Sequence, residues 1–242
     1  MAAANYRSHS RWEVITGLLD PWAFMWASVT HLPSTIAPLI KTLSLRTLFS
    51  WSQFQQRWFA SFWSVTGPAI RDNNGDRIII PLLSGRAHKG VPVSEFEAIH
   101  PGIGGTVLEI GAGSGLWVAL FSPSHCTSKM PAPGQRTPIT HVYGVEPNAS
   151  VHDALRANIA AASLEDTYEI VPLGIEDALA SGRIAPGSVD CIVSVLCLCG
   201  IPEPENNIAL LYQCLKPGGR WYAFEHVRAY REQGRFMSIY QG

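Results

Sequence analysis

The chain has 242 residues, 47% of them hydrophobic, and a formal net charge of −1. That is ample for one domain core with an appended segment. The near balance of charges leaves no basic stripe to favour nucleic acid.

Residues 1–70 read as short helices separated by prolines. Six of the eight tryptophans fall in the first 63 residues: Trp12, Trp22, Trp26, Trp51, Trp58 and Trp63. Tryptophan favours sites with one apolar and one wet side. The favoured reading is a helical lid on a catalytic core. A peripheral membrane or lipid-substrate surface and a dimer interface are the alternatives. Residues 21–40 carry no Asp, Glu, Lys or Arg, but Pro21, Pro33 and Pro38 interrupt them, so no spanning helix is expected. No basic region precedes a compact apolar run and a cleavage site, so no signal peptide is expected. Leu48, Trp51, Phe54, Trp58, Phe62 and Val65 recur at spacings of three and four and predict one helical face over 46–65. Asp72-Asn73-Asn74-Gly75 reads as a turn. An apolar run at 78–83, a flexible stretch from Ser84 to Gly90 and a helix over 93–100 follow.

From there strand and helix patterns alternate. Strands are expected near 106–110, 140–146, 167–172, 189–195 and 220–226, and helices near 114–121, 149–162, 175–181 and 204–215. This is the pattern of an α/β fold with a mainly parallel, five-stranded sheet covered on both faces. Residues 122–138 are rich in Pro, Ser and Gly and read as an inserted loop. Lys216-Pro217-Gly218-Gly219 should stop the last helix and turn the chain into the fifth strand. The domain reading is an N-terminal lid or substrate cap over 1–92 and a cofactor-binding core over 93–242. Of the five cysteines, Cys126, Cys191, Cys197, Cys199 and Cys214, none forms a C-x-x-C pair. Buried reduced thiols of a cytoplasmic protein are expected, with no metal site.

Residues 107–115, Val-Leu-Glu-Ile-Gly-Ala-Gly-Ser-Gly, carry the most chemistry. An apolar strand ends in an acid, and Gly111, Gly113 and Gly115 form a turn that lets a ligand approach the backbone. Leu116 stands where the dinucleotide fingerprint needs its last glycine, and the lysine and hydroxyl of a phosphate-binding loop are missing. An acid before the turn disfavours phosphate. It suits a ligand with a positive charge and a carboxylate, such as S-adenosylmethionine. A second strand ends in Glu146, where an acid can accept from both ribose hydroxyls.

Four blocks, LEIGAGSG (108–115), YGVEPN (143–148), VPLGIED (171–177) and the stretch from SVDCIVSVLCLCGIPEPE to LKPGGRWYAFEHV (188–227), resemble class I S-adenosylmethionine-dependent methyltransferases. The likeness is to the small-molecule branch, near the ubiquinone-type and alkyl-thiol enzymes, with some text shared with a fungal biosynthetic group. It implies a Rossmann-like methyltransferase fold. It also implies that the backbone of Gly111, Ala112, Gly113 and Gly115 lies against the cofactor. Glu109 would reach the ammonium or only brace the turn. Glu146, with Pro147 and Asn148, would bind the ribose or serve as a helix N-terminal acid. Gly174, Ile175 and Glu176 would flank the adenine, although the family often has an acid where Gly174 sits, and Glu176 and Asp177 read equally as helix-start residues. Val195, Leu196 and Cys197 would line the methionine side. His226 beside Glu225 is the candidate base, with a structural histidine as the alternative. Tyr6, Trp12 and Arg71 are looser candidates for closing over the cofactor.

A complete member has two further strands in an antiparallel hairpin, and only residues 227–242 remain here. The apolar edge at 221–226 is therefore expected to pair with a second copy, a partner or the tryptophan-rich segment. The function read from these features is methyl transfer to an apolar or aromatic small molecule through oxygen, nitrogen or sulfur. The alternatives are a cyclisation or rearrangement that uses the bound sulfonium without methyl transfer, and a non-catalytic partner subunit.

Overall fold

The structure is a computed structural model that describes residues 11–88, 90–93, 98–123 and 137–227. Tyr6 and Cys126 lie outside the described residues, as do most of the inserted loop and the centre of the helix expected over 93–100. The described flanks of that helix, Val93 and residues 98–100, are not helical. The chain forms two compact units, Met1–Thr66 and Gly67–Gly242.

The first unit is helical: α1 (Arg11–Thr30), α2 (Leu32–Lys41), α3 (Leu45–Phe49) and the start of α4 (Trp51–Asn74). The helices are longer than proline spacing suggested. Pro33 sits at the start of α2, whereas Pro21, Pro38 and Pro68 lie inside helices. A proline costs one hydrogen bond and crowds the carbonyl four residues back, a local penalty that a long helix absorbs. The face expected over 46–65 is broken at Ser50, whose ψ of 106° is extended. Phe62 is buried and meets Phe24 edge-on at 4.9 Å, and Trp58 Nε1 donates to Ser28 O at 2.8 Å. Trp51 and Val65, expected on the same face, are 65% and 62% exposed.

The turn expected at 72–75 is instead helix. Asn73 and Asn74 donate their side-chain amides back to Ala69 O and Ile70 O. The chain then runs through a π-helical turn, Gly75–Ile79, into α5 (Ile80–Leu83). Burial of Ile79 and Leu83 outweighs the local turn preference. The stretch expected to be flexible contains a small antiparallel hairpin, β1 (Ala87–His88) with β2 (Val91–Pro92).

The main sheet holds β3 (Gly105–Ile110), β4 (Ile139–Val145), β5 (Tyr168–Val171), β6 (Val189–Val195) and β7 (Leu215–Phe224). Their order is β5-β4-β3-β6-β7, and every pairing is parallel. This is the expected Rossmann-like α/β sheet. Alternate residues of each strand face opposite layers. Val107, Val142, Cys191 and Val193 join the core with Leu155 and Ile159 of α6 (His152–Ala161). Leu108, Ile110, Val145 and Ile192 join the other, with α7 (Ile175–Ala180) and α8 (Pro204–Cys214).

Two expectations fail in the core. The helix expected over 114–121 is only a 3-10 turn, Val118–Phe121. Gly115 has φ +86°, outside the helical region. The fifth strand begins at Leu215 rather than 220, and Lys216 to Gly219 form a bulge between the pairs Val189–Leu215 and Cys191–Arg220. It ends at Phe224, so Glu225 and His226 follow the strand rather than close it.

Candidate functional site

The chain order reverses between β5 and β6, so the carboxyl ends of β3 and β6 flank the topological switch point where open α/β sheets bind ligands. The loop after β3 supplies the floor. Gly111, Gly113 and Gly115 have φ of +69°, +56° and +86°, the left-handed region that side chains disfavour. Gly111 is also closed to a side chain by contact: an added Cβ would meet Cys197 Cβ at 2.5 Å. Around Gly113 the nearest atom to such a Cβ would be Gly111 O at 3.9 Å, so the space above the turn is open. The N–H groups of Gly111 and Ala112 donate to Val145 O at 3.0 and 3.3 Å, tying the turn to the end of β4. Asn158 of α6 secures its far side by donating to Ser114 O at 2.8 Å.

Glu146 follows β4 and is buried. Its two carboxylate oxygens are aimed by separate backbone donors: Gly113 N reaches Oε2 and Asn148 N reaches Oε1, both at 2.8 Å. His152 contacts Glu146 O at 2.8 Å from the start of α6. Pro147 is exposed and Asn148 half-buried, its Oδ1 accepting from Ser150 N as a cap. Burial pushes the Glu146 carboxyl above its usual range, against the two backbone donors.

Glu109, on β3 two residues before the glycine turn, is 3% exposed. Its Oε2 accepts from the Tyr168 hydroxyl of β5. The contact crosses an entire strand. Glu109 pairs with Gly144, and Gly144 with Ile170, so all three share one face of the sheet with Tyr168. A Cβ on Gly144 would lie 2.1 Å from the Tyr168 hydroxyl oxygen. Gly144 is thus the slot through which the phenol reaches Glu109. Sequence reading missed this layer. Its one local signal is a glycine inside a strand, which marks close approach of another group. Burial pushes the Glu109 carboxyl up to about 8, against the Tyr168 hydrogen bond, and the neighbouring Glu146 adds to the rise. The same burial holds the Tyr168 phenol well above its usual range.

On the other side of the turn, Val195 ends β6 and Leu196 has φ +54°. Leu196 N donates to Phe224 O at 2.8 Å. Glu225 braces this loop: it accepts from Leu198 N at 3.1 Å and from Cys197 Sγ at 3.4 Å. Burial, with the Glu225 charge beside it, pushes the Cys197 thiol far above its usual range, so it stays protonated. His226 is exposed, with Nδ1 3.9 Å from Cys199 Sγ. No hydrogen bond between Glu225 and His226 joins them as a pair.

Gly174 caps α7 in extended conformation and Ile175 is buried. Glu176 accepts from Asn207 Nδ2 of α8 at 2.7 Å, and the same amide donates to Pro202 O at 2.8 Å. Asn207 is 1% exposed and ties α7 to the loop after β6, a role its sequence context did not signal. Among the described residues no cluster of His, Cys, Asp and Glu could hold a metal ion.

The structure therefore joins Glu109, the glycine turn, Glu146 and the loop 195–198 at the carboxyl end of the sheet's central strands. Two buried carboxylates with raised affinity for protons await hydrogen-bond donors or a cation. The backbone of the turn is open above Gly113. This set of acceptors fits a ligand with an ammonium group and a vicinal diol.

A family model described as a methyltransferase domain matches residues 91–240. The human thiol S-methyltransferase TMT1A is 29% identical over 124 residues, covering 51% of this chain and 43% of that protein. The chain thus spans less than half the length of that relative. Among solved structures, an arsenic(III) S-adenosylmethionine methyltransferase from Chlamydomonas reinhardtii matches with a TM-score of 0.35 at 21% identity, over 47% of this chain and 36% of that one. The 4+2 cyclase SpnF matches with a TM-score of 0.40 at 18% identity, over 61% of this chain and 43% of that one.

Proposed function

The chain belongs to the methyltransferase domain family, and we propose that it transfers a methyl group to an apolar small molecule, with a thiol as the first acceptor class to test. Its cofactor is S-adenosylmethionine, whose sulfonium supplies an already activated methyl group. The observation that carries the reading is the aimed carboxylate of Glu146, held by Gly113 N and Asn148 N beside a glycine turn open to a ligand.

In this reading Glu146 accepts from the ribose hydroxyls, with Pro147 and Asn148 shaping the turn that presents it. Gly111, Ala112, Gly113 and Gly115 bring bare backbone to the cofactor. Glu109 gives up its proton to face the ammonium. Gly174, Ile175 and Glu176 border the adenine, and Val195, Leu196 and Cys197 the methionine chain. These groups bind and orient; in-line placement of the acceptor then supplies much of the rate. His226 takes the acceptor's proton where that proton is still present. Glu225 serves the site indirectly, by fixing the loop 197–198. The thiol preference draws on the human relative and on the exposed imidazole of His226. A sulfur nucleophile needs the least help from a base.

The outer edge of β7 has no partner strand among the described residues, and we propose that a second copy pairs there. Sedimentation equilibrium showing a monomer at all concentrations would oppose that assignment. The test of function is incubation with S-adenosylmethionine and a panel of apolar thiols, phenols and amines. Methylated product and S-adenosylhomocysteine should form together. Turnover of a substrate without S-adenosylhomocysteine would favour cofactor-assisted rearrangement.

A further inference from the structure

We propose that the exposed face of α1 seats the N-terminal unit on a lipid surface bearing anionic headgroups. Leu19, Trp22, Met25, Trp26 and Val29 recur at three- and four-residue spacing along α1 and are 58%, 61%, 59%, 71% and 40% exposed. They form one stripe about 15 Å long at helical rise. The contacts to α4 come from the opposite side of the helix. Phe24 meets Phe62, and Ser28 O accepts from Trp58 Nε1. Residue Asp20 lies on that far side by helical periodicity.

The charge distribution selects the partner. Residues 1–66 hold Arg7, Arg11, Lys41, Arg46 and Arg57 against Glu13 and Asp20, a net charge of +3. The remaining 176 residues hold 13 basic and 17 acidic residues, a net charge of −4. A basic helical unit with an aromatic stripe complements an anionic bilayer surface. Tryptophan places its apolar ring in the acyl boundary and its N–H at the headgroups. The basic residues add electrostatic attraction that salt weakens. A second copy of a +3 unit would instead meet like charge. No helix among the described residues is long and apolar enough to cross a membrane, so contact is in the plane of the surface.

The test is flotation of the intact chain with vesicles of phosphatidylcholine alone or mixed with phosphatidylserine. Binding to the mixed vesicles should be at least about tenfold tighter and should weaken with salt. Trp22→Ser with Trp26→Ser should abolish flotation. Lys41→Glu with Arg46→Glu should erase the preference for the mixed vesicles. Both variants should keep their circular dichroism and their affinity for S-adenosylhomocysteine, a readout that separates this inference from the proposed function. No flotation of a folded chain, or equal binding to both vesicles, would overturn the inference. So would a dimer that the tryptophan variant dissolves without any lipid binding, since the face would then belong to a second copy.

Discussion

Gly144→Ala is the sharpest test of how the site is built. An alanine in a strand normally gains about 0.5–1 kcal/mol over glycine. Here its Cβ would sit 2.1 Å from the Tyr168 hydroxyl oxygen and 2.4 and 2.5 Å from two ring carbons. Tyr168 is 6% exposed and packs near Phe121, with ring centroids 6.2 Å apart, so the ring has little room to retreat. Overpacking of this kind costs about 1–3 kcal/mol. Displacing the phenol also leaves the buried Glu109 carboxyl without its donor, at about 1–3 kcal/mol. The net expectation is a loss of about 1–5 kcal/mol. Urea unfolding should show it as a lower midpoint with an unchanged slope. In a Tyr168→Ala background the same substitution should cost nothing. A neutral or stabilising Gly144→Ala, or an equal cost in both backgrounds, would refute the cross-strand layer.

Glu109 makes stability pH-dependent. Its folded pKa of about 8 lies above the ordinary carboxyl value of 4.5, so the folded state binds the extra proton and stability falls as pH rises through that window. The slope for one proton is at most about 1.4 kcal/mol per pH unit. Glu109→Gln should flatten the curve, and a steeper decline in the variant would contradict the assignment. Binding of the cofactor's ammonium should release a proton below pH 8, visible as a buffer-dependent heat in calorimetry. Replacing His226 with Ala should lower turnover of a hydroxyl acceptor by about a hundredfold or more and that of a thiol by less, a gap that closes at alkaline pH. Equal losses for both acceptors would remove His226 as the base. Asp190 accepts from Thr106 N and Lys216 Nζ, each at 2.8 Å. Its Lys216 pair is exposed, so Lys216→Ala should cost less than about 1 kcal/mol. Asp190→Ala should cost about 1–3 kcal/mol by stranding the Thr106 N–H. Chemical denaturation of both variants orders the two contributions.

The strands β3 and β6 were legible because their apolar runs are buried on both faces, and β4 because its buried end, Val142 to Val145, leads straight into Glu146. The glycine turn was legible because its left-handed backbone demands glycine, and Glu146 because an acid directly after an apolar strand stands out; its contact with a diol belongs to the proposal. What depends on register was not. Tyr168 touches Glu109 only because Gly144 lies between them in the pairing of three strands. Asn207 is likewise placed by the docking of α8 beside α7, far from Glu176 in sequence. The boundary errors have local causes. Gly115 at φ +86° cuts off the helix expected at 114, and the bulge at 216–219 lengthens β7 towards its start. At the N-terminus, proline spacing suggested breaks where the helices run on.

Titration calorimetry of the intact chain and of Glu146→Ala with S-adenosylmethionine and S-adenosylhomocysteine tests the central claim most directly. The intact chain should bind both. The variant, having lost hydrogen bonds to a charged acceptor, should bind more weakly by about 1.5–3 kcal/mol while remaining folded. Equal affinity in the two proteins, or no binding by a folded intact chain, would contradict the assignment of this strand-end carboxylate to the cofactor.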